Sequence, residues 1–470
     1  MTRRSRRPGP GDGVVGRLGW HRVTRLTVGQ LRRPGVVVLL GFASMVLLVT
    51  VLLMLPVAHE RGVTTSFREA LFTATSAVCV TGLIVVDTPT YWSTFGEIVI
   101  LSGIQFGGFG FMTSASLLGL LVARRMGLRT RVLTAAETRT LGVGDIRRVI
   151  RGVAVISFTV EALTAALLML RFWLGHGQSP AGAAYHGVFH AVSAFNNAGF
   201  ALYSDNLIGF ATDPFICLPI AAAVIIGGIG FPVIFELRRE IGTPRLWSVH
   251  TKTTVLTTAL LLVGGTVAVT AFEWRNPGTL GPLSVPEKLL VGFFQGGVQP
   301  RTAGFNSLDY AQVHETSLLV TDGLMFIGGG SGGTAGGIKV TTFMLLLFAI
   351  LAEVRGDPTV DAFGRQVPTS VLRQALSVAL LGVALVGSAT LALLAVSGLD
   401  LDRVLFEAAS AFGTVGLSTG ITAALPPAGQ YILIALMFIG RIGPITMASA
   451  LALKERHKLF RLPEERAIVG

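Results

Sequence analysis

Apolar residues run along this chain in blocks of membrane length, separated by short basic segments. The blocks give eight candidate spans, at 35–56, 94–122, 149–170, 213–236, 253–272, 316–351, 372–396 and 430–453. A helix needs about 20 apolar residues to cross a bilayer, and these blocks provide them. The spans fall into four pairs. Inside each pair lies a shorter apolar stretch, such as 67–77 or 404–411, that has helical spacing but cannot cross. Such a stretch reads as a re-entrant half-helix. The pattern therefore predicts an all-α integral membrane protein of four tandem span, pore-helix, span modules around a central pseudo-fourfold pore. The modules fall at 34–125, 146–240, 250–352 and 370–453, between a basic segment 1–33 and a tail 454–470. The first block, 36–57, is too long for a signal-peptide core and lacks a small-residue cleavage site, so it reads as a retained span.

The short stretches repeat one another: FTATSAVCVTGL (72–83), FHAVSAFNNAGF (189–200), FFQGGVQPRTAGF (293–305) and FEAASAFGTVGL (406–417). With Gly82, Gly199, Gly304 and Gly416 in register, a phenylalanine stands ten positions upstream in every copy, at Phe72, Phe189, Phe294 and Phe406. Serine stands six positions upstream in three copies, at Ser76, Ser193 and Ser410, and Val298 replaces it in the third. The glycines are 117, 105 and 112 residues apart, too far for a solenoid and suited to four membrane modules. Non-helical backbone at membrane depth must be buried in protein or line a wet cavity. Four such loops around one axis meet that condition together, which is the geometry of an ion pore. The tips CVTGL, NNAGF, RTAGF and GTVGL carry no carboxylate, so a selective filter here would use backbone carbonyls rather than an acidic ring. The negative C-terminal ends of the half-helices would favour a cation.

Composition and charge agree with this reading. Half of the chain (51%) is hydrophobic, 14% is charged and the mean hydropathy is +0.67, too few polar groups for a soluble globule of 470 residues. The net charge of +12 is a matter of topology rather than of nucleic acid: 29 of the 38 Lys and Arg lie in 1–33, 122–151, 237–253, 352–374 and 454–466. These alternate with loops poor in basic residues, which puts both termini in the cytoplasm of a multi-pass protein of the cell inner membrane. Cys79 and Cys217 sit in or beside apolar segments and read as small buried residues, not as a disulfide or zinc site.

A second glycine motif follows each filter glycine by 25, 28, 24 and 24 residues, at Gly107, Gly227, Gly328 and Gly440. The third copy departs from the rest: Gly328, Gly329, Gly330, Ser331, Gly332, Gly333, Thr334, Ala335, Gly336 and Gly337 form a run that no ordinary helix is built from. A helix interrupted there would hang a gating loop, 328–338, below the filter. Gly328, Gly330 and Gly333 also spell G-x-G-x-x-G with Glu353 twenty residues on, but the flanking runs are membrane spans, so the dinucleotide reading fails. A phosphate-loop reading fails on the missing Gly-Lys-Ser/Thr ending. The fourth copy places Arg441 where the others have glycine; an arginine at that depth costs about 2.5–3.5 kcal/mol on insertion and calls for free carbonyls, which a broken helix offers. Snorkelling to the cytoplasmic face is the competing use of Arg441, and Lys339 is balanced between gate and anchor. His186 and His190 are one helical turn apart with no third ligand, Glu161 lies inside the third span without an evident partner, and no arrangement supports hydrolysis or another enzymatic step. An alternating-access transporter of inverted repeats is the rival class, though the four motifs fall on one side of the charge pattern.

These motifs resemble the Trk/Ktr/HKT superfamily of potassium transporters over residues from about 34 to 453. CVTGL, SAFNNAGF, PRTAGFN and TVGLSTG look like its four filters, GGSGGTAGGIK like its intramembrane gating loop, and Arg441 like the arginine facing that loop. The resemblance implies potassium coordination by the backbone of Val80 and Thr81, Asn197 and Ala198, Thr302 and Ala303, and Thr414 and Val415, with Gly82, Gly199, Gly304 and Gly416 making the turns. Glycine at position 82 implies potassium preference, whereas serine there would admit sodium. The short segment before the first span makes the chain more similar to the Ktr type of membrane subunit, which implies a homodimer on a separate cytosolic nucleotide-binding regulatory ring. It also implies no cofactor beyond the transported potassium, with sodium activation an accompanying expectation. Gly333 stands where many relatives have serine.

Overall fold

The computed structural model describes residues 34–62, 64–125 and 146–443. They are mostly helical, with almost no strand. Taken in chain order, the first group of helices comprises α1 (Pro34–Leu53), α2 (Phe67–Val78) and α3 (Thr94–Arg125). The second comprises α4 (Ile146–His176), α5 (Pro180–Phe195), α6 (Pro214–Ile229) and α7 (Phe231–Glu240). The third comprises α8 (Val249–Glu273), α9 (Val285–Val291) running into a π-helical turn (Gly292–Val298), α10 (Glu315–Phe326) and α11 (Val340–Arg355). A two-residue hairpin, β1 (Asp361–Ala362) with β2 (Arg365–Gln366), leads to α12 (Thr369–Ser397), α13 (Leu401–Gly413) and α14 (Pro427–Ile442).

Among the described residues, Val36–Leu53, Val149–His176, Val249–Glu273 and Thr369–Ser397 are long and apolar enough to cross a membrane alone. Their outer faces carry Val51, Leu163, Val263 and Leu391 in exposed positions, an apolar surface suited to lipid. Two expected spans are revised. The expected span 213–236 ends at Ile229, because Gly230 takes φ +98° and turns the chain by 99° into α7. The expected span 316–351 is two helices separated by residues 327–339. Part of the last expected span, 444–453, lies outside the described residues, as do 1–33 and the tail 454–470.

Short helices need firm starts, and three of the four that precede the loops have side-chain caps; α13 starts after Asp400 without one. Ser66 and Glu69 form a reciprocal capping box on α2, and Ser284 and Glu287 form another on α9. Ser179 accepts from the Gly182 N–H at the head of α5, followed by Pro180 in the first turn. Each half-helix then buries its repeated phenylalanine: Phe72, Phe189, Phe294 and Phe406 are all 0–1% exposed.

Packing between these groups is cyclic. The α3 helix packs on α5, α6 on the π-helical turn, α10 on α13, and α14 returns to α2. Each of these helices thus supports the short helix of the next group, and the four loops that follow the short helices meet one another.

Candidate functional site: a ring of four loops and the segment beneath it

Each loop begins with a non-glycine residue in the left-handed region and reaches its glycine two residues later, also at positive φ. The pairs are Val80 (φ +57°) and Gly82 (+94°), Asn197 (+60°) and Gly199 (+69°), Thr302 (+77°) and Gly304 (+70°), and Thr414 (+50°) and Gly416 (+99°). Alternating handedness along an extended segment turns successive carbonyls to the same side, where an ordinary strand points them to opposite sides. Left-handed backbone costs about 1–3 kcal/mol per non-glycine residue, and Val80, Thr302 and Thr414 are β-branched, so the surroundings must enforce it. In three copies a Schellman closure does so. Val80 N–H donates to Ala77 O and Thr81 N–H to Ser76 O; Asn197 donates to Ala194 and Ala198 to Ser193; Thr414 donates to Ala411 and Val415 to Ser410.

The repeated serine completes the closure. Ser76 Oγ accepts from the Gly82 N–H at 3.0 Å, and Ser410 Oγ accepts from the Gly416 N–H at 3.0 Å. Ser193 instead donates to the Phe200 carbonyl at 2.8 Å. In the third copy, which lacks the serine, Gln299 Oε1 accepts from the Phe305 N–H at 2.9 Å and Gln295 Oε1 from the Ser307 N–H at 2.7 Å. The π-helical turn carries both glutamines into place.

The loops close on one another as a ring. A Cβ on Gly82 would sit 2.3 Å from the Ala198 carbonyl oxygen, one on Gly199 2.6 Å from that of Ala303, one on Gly304 2.0 Å from that of Val415, and one on Gly416 2.1 Å from that of Thr81. Every glycine is therefore required by its neighbour as well as by its own φ. Above the glycines lies a cavity of about 320 Å³ whose wall includes Gly82, Gly199, Gly416, Asp87, Asp205 and Asp309. Those three aspartates follow the glycine by five or six positions in the first three modules, a spacing visible in the sequence but overlooked there.

The second glycine motif explains itself by contact. Cβ atoms on Gly107, Gly227 and Gly440 would lie 1.9–2.0 Å from the carbonyls of Val78, Phe195 and Phe412, equivalent residues at the ends of their half-helices. Gly328 faces its own loop instead, with Gly336 O at 2.1 Å from such a Cβ.

That segment, 327–339, lies directly under the ring. A parallel bridge pairs Ile327 with Ile338, Gly330 N–H donates to Gly228 O at 2.8 Å, and Thr334 N–H donates to Gly227 O at 3.1 Å. The Thr334 hydroxyl is 2.9 Å from the Asn197 side-chain amide, and Gly336 abuts Thr414 so closely that a Cβ would meet its hydroxyl. Gly333 fits against Gly227 O and Gly228 O, leaving less than ordinary contact room for a side chain. Arg441, 1% exposed, donates from Nη1 to the Thr334 carbonyl and from Nη2 to Gly107 O at 3.4 Å. Lys339 Nζ donates to Ala335 O at 2.6 Å and Gly336 O at 3.3 Å. Both cations face the loop's carbonyls.

The remaining candidates have structural partners. Glu161 accepts from Gln105 at 3.4 Å and Asn196 at 3.3 Å. His190 Nδ1 donates to His186 O at 2.7 Å, and its ring stacks on Tyr203. Cys79 and Cys217 are free and buried, and no group of metal-ligating side chains occurs among the described residues. Arg301, which drew no attention in the sequence, is 7% exposed and reaches carbonyls of both α8 and the broken segment.

Known proteins give this geometry a family. The chain is 39% identical over 437 residues to Ktr system potassium uptake protein B of Bacillus subtilis, covering 93% of this chain and 97% of that one. It is 38% identical to the protein of that description from Vibrio alginolyticus, over 92% and 94% of the two chains. It is 34% identical to the potassium/sodium uptake protein NtpJ of Enterococcus hirae, over 92% and 96%. In fold it resembles the crystal structure of the potassium transporter TrkH from Vibrio parahaemolyticus, with TM-score 0.67 and 20% identity over 88% of this chain and 85% of that one. The TrkH family model, described as cation transport protein, matches residues 39–462, and the chain belongs to this family of membrane transporters, which are not enzymes.

Proposed function

We propose that the chain is the ion-translocating subunit of a potassium uptake system. Its eight spans form four modules around a pseudo-fourfold pore, and the carbonyls of Val80, Thr81, Asn197, Ala198, Thr302, Ala303, Thr414 and Val415 replace the hydration shell of potassium. One observation carries this reading: four loops of alternating backbone handedness, each glycine seated against the next loop's carbonyl. The three aspartates in the outer cavity concentrate cations before they enter. The segment 328–338 closes the path from below, held by Arg441 and Lys339.

The relatives' descriptions support potassium as the cargo, and the Enterococcus hirae protein, whose description pairs potassium with sodium, supports a sodium effect on transport. Membership of a multi-component system supports a partner, which we assign as a cytosolic nucleotide-binding ring docked on a homodimer in the cell inner membrane with both termini cytoplasmic. Rubidium uptake into liposomes containing the purified protein is the test. Uptake that prefers rubidium to sodium, with the preference reduced by Gly82→Ser, is the expected result. A folded protein with no uptake, or with selectivity untouched by Gly82→Ser, would count against it.

A further inference from the structure

The residue just before each left-handed filter position differs among the modules: Cys79, Asn196, Arg301 and Gly413. Only the third module, the one with the interrupted inner helix, places a cation there. The Arg301 side chain is buried, so its guanidinium must be held by acceptors, and two carbonyls hold it. Nη1 donates to Thr258 O at 3.0 Å, on the outer helix α8. Nη2 lies 3.4 Å from Gly328 O, the second residue after α10 ends.

The Gly328 carbonyl is open to this contact because the helix stops at Phe326; in an unbroken helix it would accept from the N–H four residues on. Arg301 therefore reaches a carbonyl that the break in the helix has released from helical bonding. Its backbone, meanwhile, runs directly into Thr302, the strained first residue of the third filter loop (φ +77°). The guanidinium is planar and presents its two donors in a fixed fork, so it transmits displacement better than a flexible ammonium would. Movement of Gly328 must either break this contact, leaving the buried charge with fewer acceptors, or carry Arg301 and the third filter loop with it.

We propose that Arg301 is a positioning residue that couples the third filter loop to the segment beneath the ring, so that ion selectivity depends on the state of that segment. This rests on the pore reading above. It goes further by making one quarter of the filter the point where gate and selectivity communicate, distinct from Arg441, which holds the segment from below.

The test is a double-mutant comparison in proteoliposomes, reading the rubidium to sodium uptake ratio. In the full-length chain Arg301→Gln is expected to change that ratio by about tenfold, the scale of one charge-assisted hydrogen bond. In a chain lacking residues 330–336, or in Arg441→Gln, where the Thr334 carbonyl has lost the guanidinium that holds the segment, the same substitution is expected to change it less than about twofold, because coupled residues are non-additive. If Arg301→Gln is not recovered folded, Arg301→Lys carries the comparison, since a single ammonium does not reproduce the two-donor fork. Equal shifts in both backgrounds would overturn the coupling and leave Arg301 as an anchor of the filter alone. Absence of uptake by the unmodified protein would overturn the pore reading, and this inference with it.

Discussion

Gly416, in the last of the four loops, lies against the carbonyl of Thr81, in the first: a Cβ on it would fall 2.1 Å from that oxygen and 3.0 Å from the Gly82 Cα. The contact joins residues 335 positions apart in sequence and closes the ring that the other three glycines build in chain order. A neighbour in the same chain segment offers a control. Gly420 has φ +88° but nothing within 4 Å of its Cβ position. Gly420→Ala therefore incurs backbone strain alone, about 1–2 kcal/mol, and uptake is expected to persist. Gly416→Ala incurs the same strain and also displaces the Thr81 carbonyl, which the proposed pore uses as a potassium ligand, so uptake or selectivity is expected to collapse although the protein still folds. Parallel rubidium uptake and thermal melts in detergent distinguish the two, and equal loss in both variants would remove the ring argument.

The serines under the loops should differ in what they contribute. Ser76 and Ser410 each accept from a loop-glycine N–H, at Gly82 and Gly416, while Ser193 donates to a carbonyl. Removing the acceptor leaves that N–H without its partner, a cost of about 1–3 kcal/mol where it is fully buried, whereas a carbonyl that loses one donor is less penalised. Ser76→Ala and Ser410→Ala are expected to lower the melting temperature more than Ser193→Ala. Val298→Ser should gain no stability, because Gln299 and Gln295 already serve the third loop.

On the outer side, Asp213 clasps the end of α4 to the start of α6: Arg171 Nε donates to its Oδ2 at 2.7 Å and His176 Nε2 lies 2.9 Å from the same oxygen. Burial alone would raise the carboxyl, but the hydrogen bonds from His176, Arg171 and the Phe215 N–H outweigh it and hold it below its usual value of 3.8. A depressed folded value means the contribution is fully present above that usual value and lost as pH falls through the lower folded one. Asp213→Asn is therefore expected to destabilise at pH 7, by about 1 kcal/mol or less given that Arg171 is part-exposed. Melts at pH 7 and in the range of 3 should show the gap between the two proteins closing in acid. A gap that widens there would mean the clasp is not carried by the charge.

Much of this arrangement was legible in the sequence because it repeats. The Phe-to-Gly register marked four helix ends and four turns, and the second glycine marked where an inner helix presses on a half-helix, since both are contacts that a side chain would spoil. What repetition could not reveal lay in the exceptions. The π-helical turn at 292–298 follows from no periodic signal, and the glutamine bonds between Gln299 and Phe305 and between Gln295 and Ser307 that accompany it join residues with no repeated counterpart. The bend at Gly230 was hidden inside a continuous apolar run; there the glycine's positive φ, not hydropathy, ends the span. Glu161 showed its cost but not its partners, since Gln105 and Asn196 lie 56 and 35 residues away. Arg301 passed unnoticed because, unlike Arg441, it interrupts no glycine motif.

On the pore reading proposed above, the segment 327–339 yields the sharpest prediction for control of transport. Thr334 touches the Asn197 amide and gives its carbonyl to Arg441, while Gly336 abuts Thr414, so the segment is fastened at two of the four loops and to Arg441 of α14. If the segment is the gate proposed above, deleting the seven residues 330–336 removes the obstruction but spares Gly328, Gly329 and the Ile338 end of the bridge, and uptake is expected to rise. Arg441→Gln should act in the same direction and more weakly, because it takes away the hold on Thr334 while the bonds from Gly330 to Gly228 and from Thr334 to Gly227 remain. If the arginine only anchored the helix, the variant would lose stability without gaining flux. Uptake that is unchanged or reduced in a folded deletion protein would mean that the segment is scaffold and that the gate lies elsewhere. A rise in the deletion with no rise in Arg441→Gln would keep the gate and release the arginine from it.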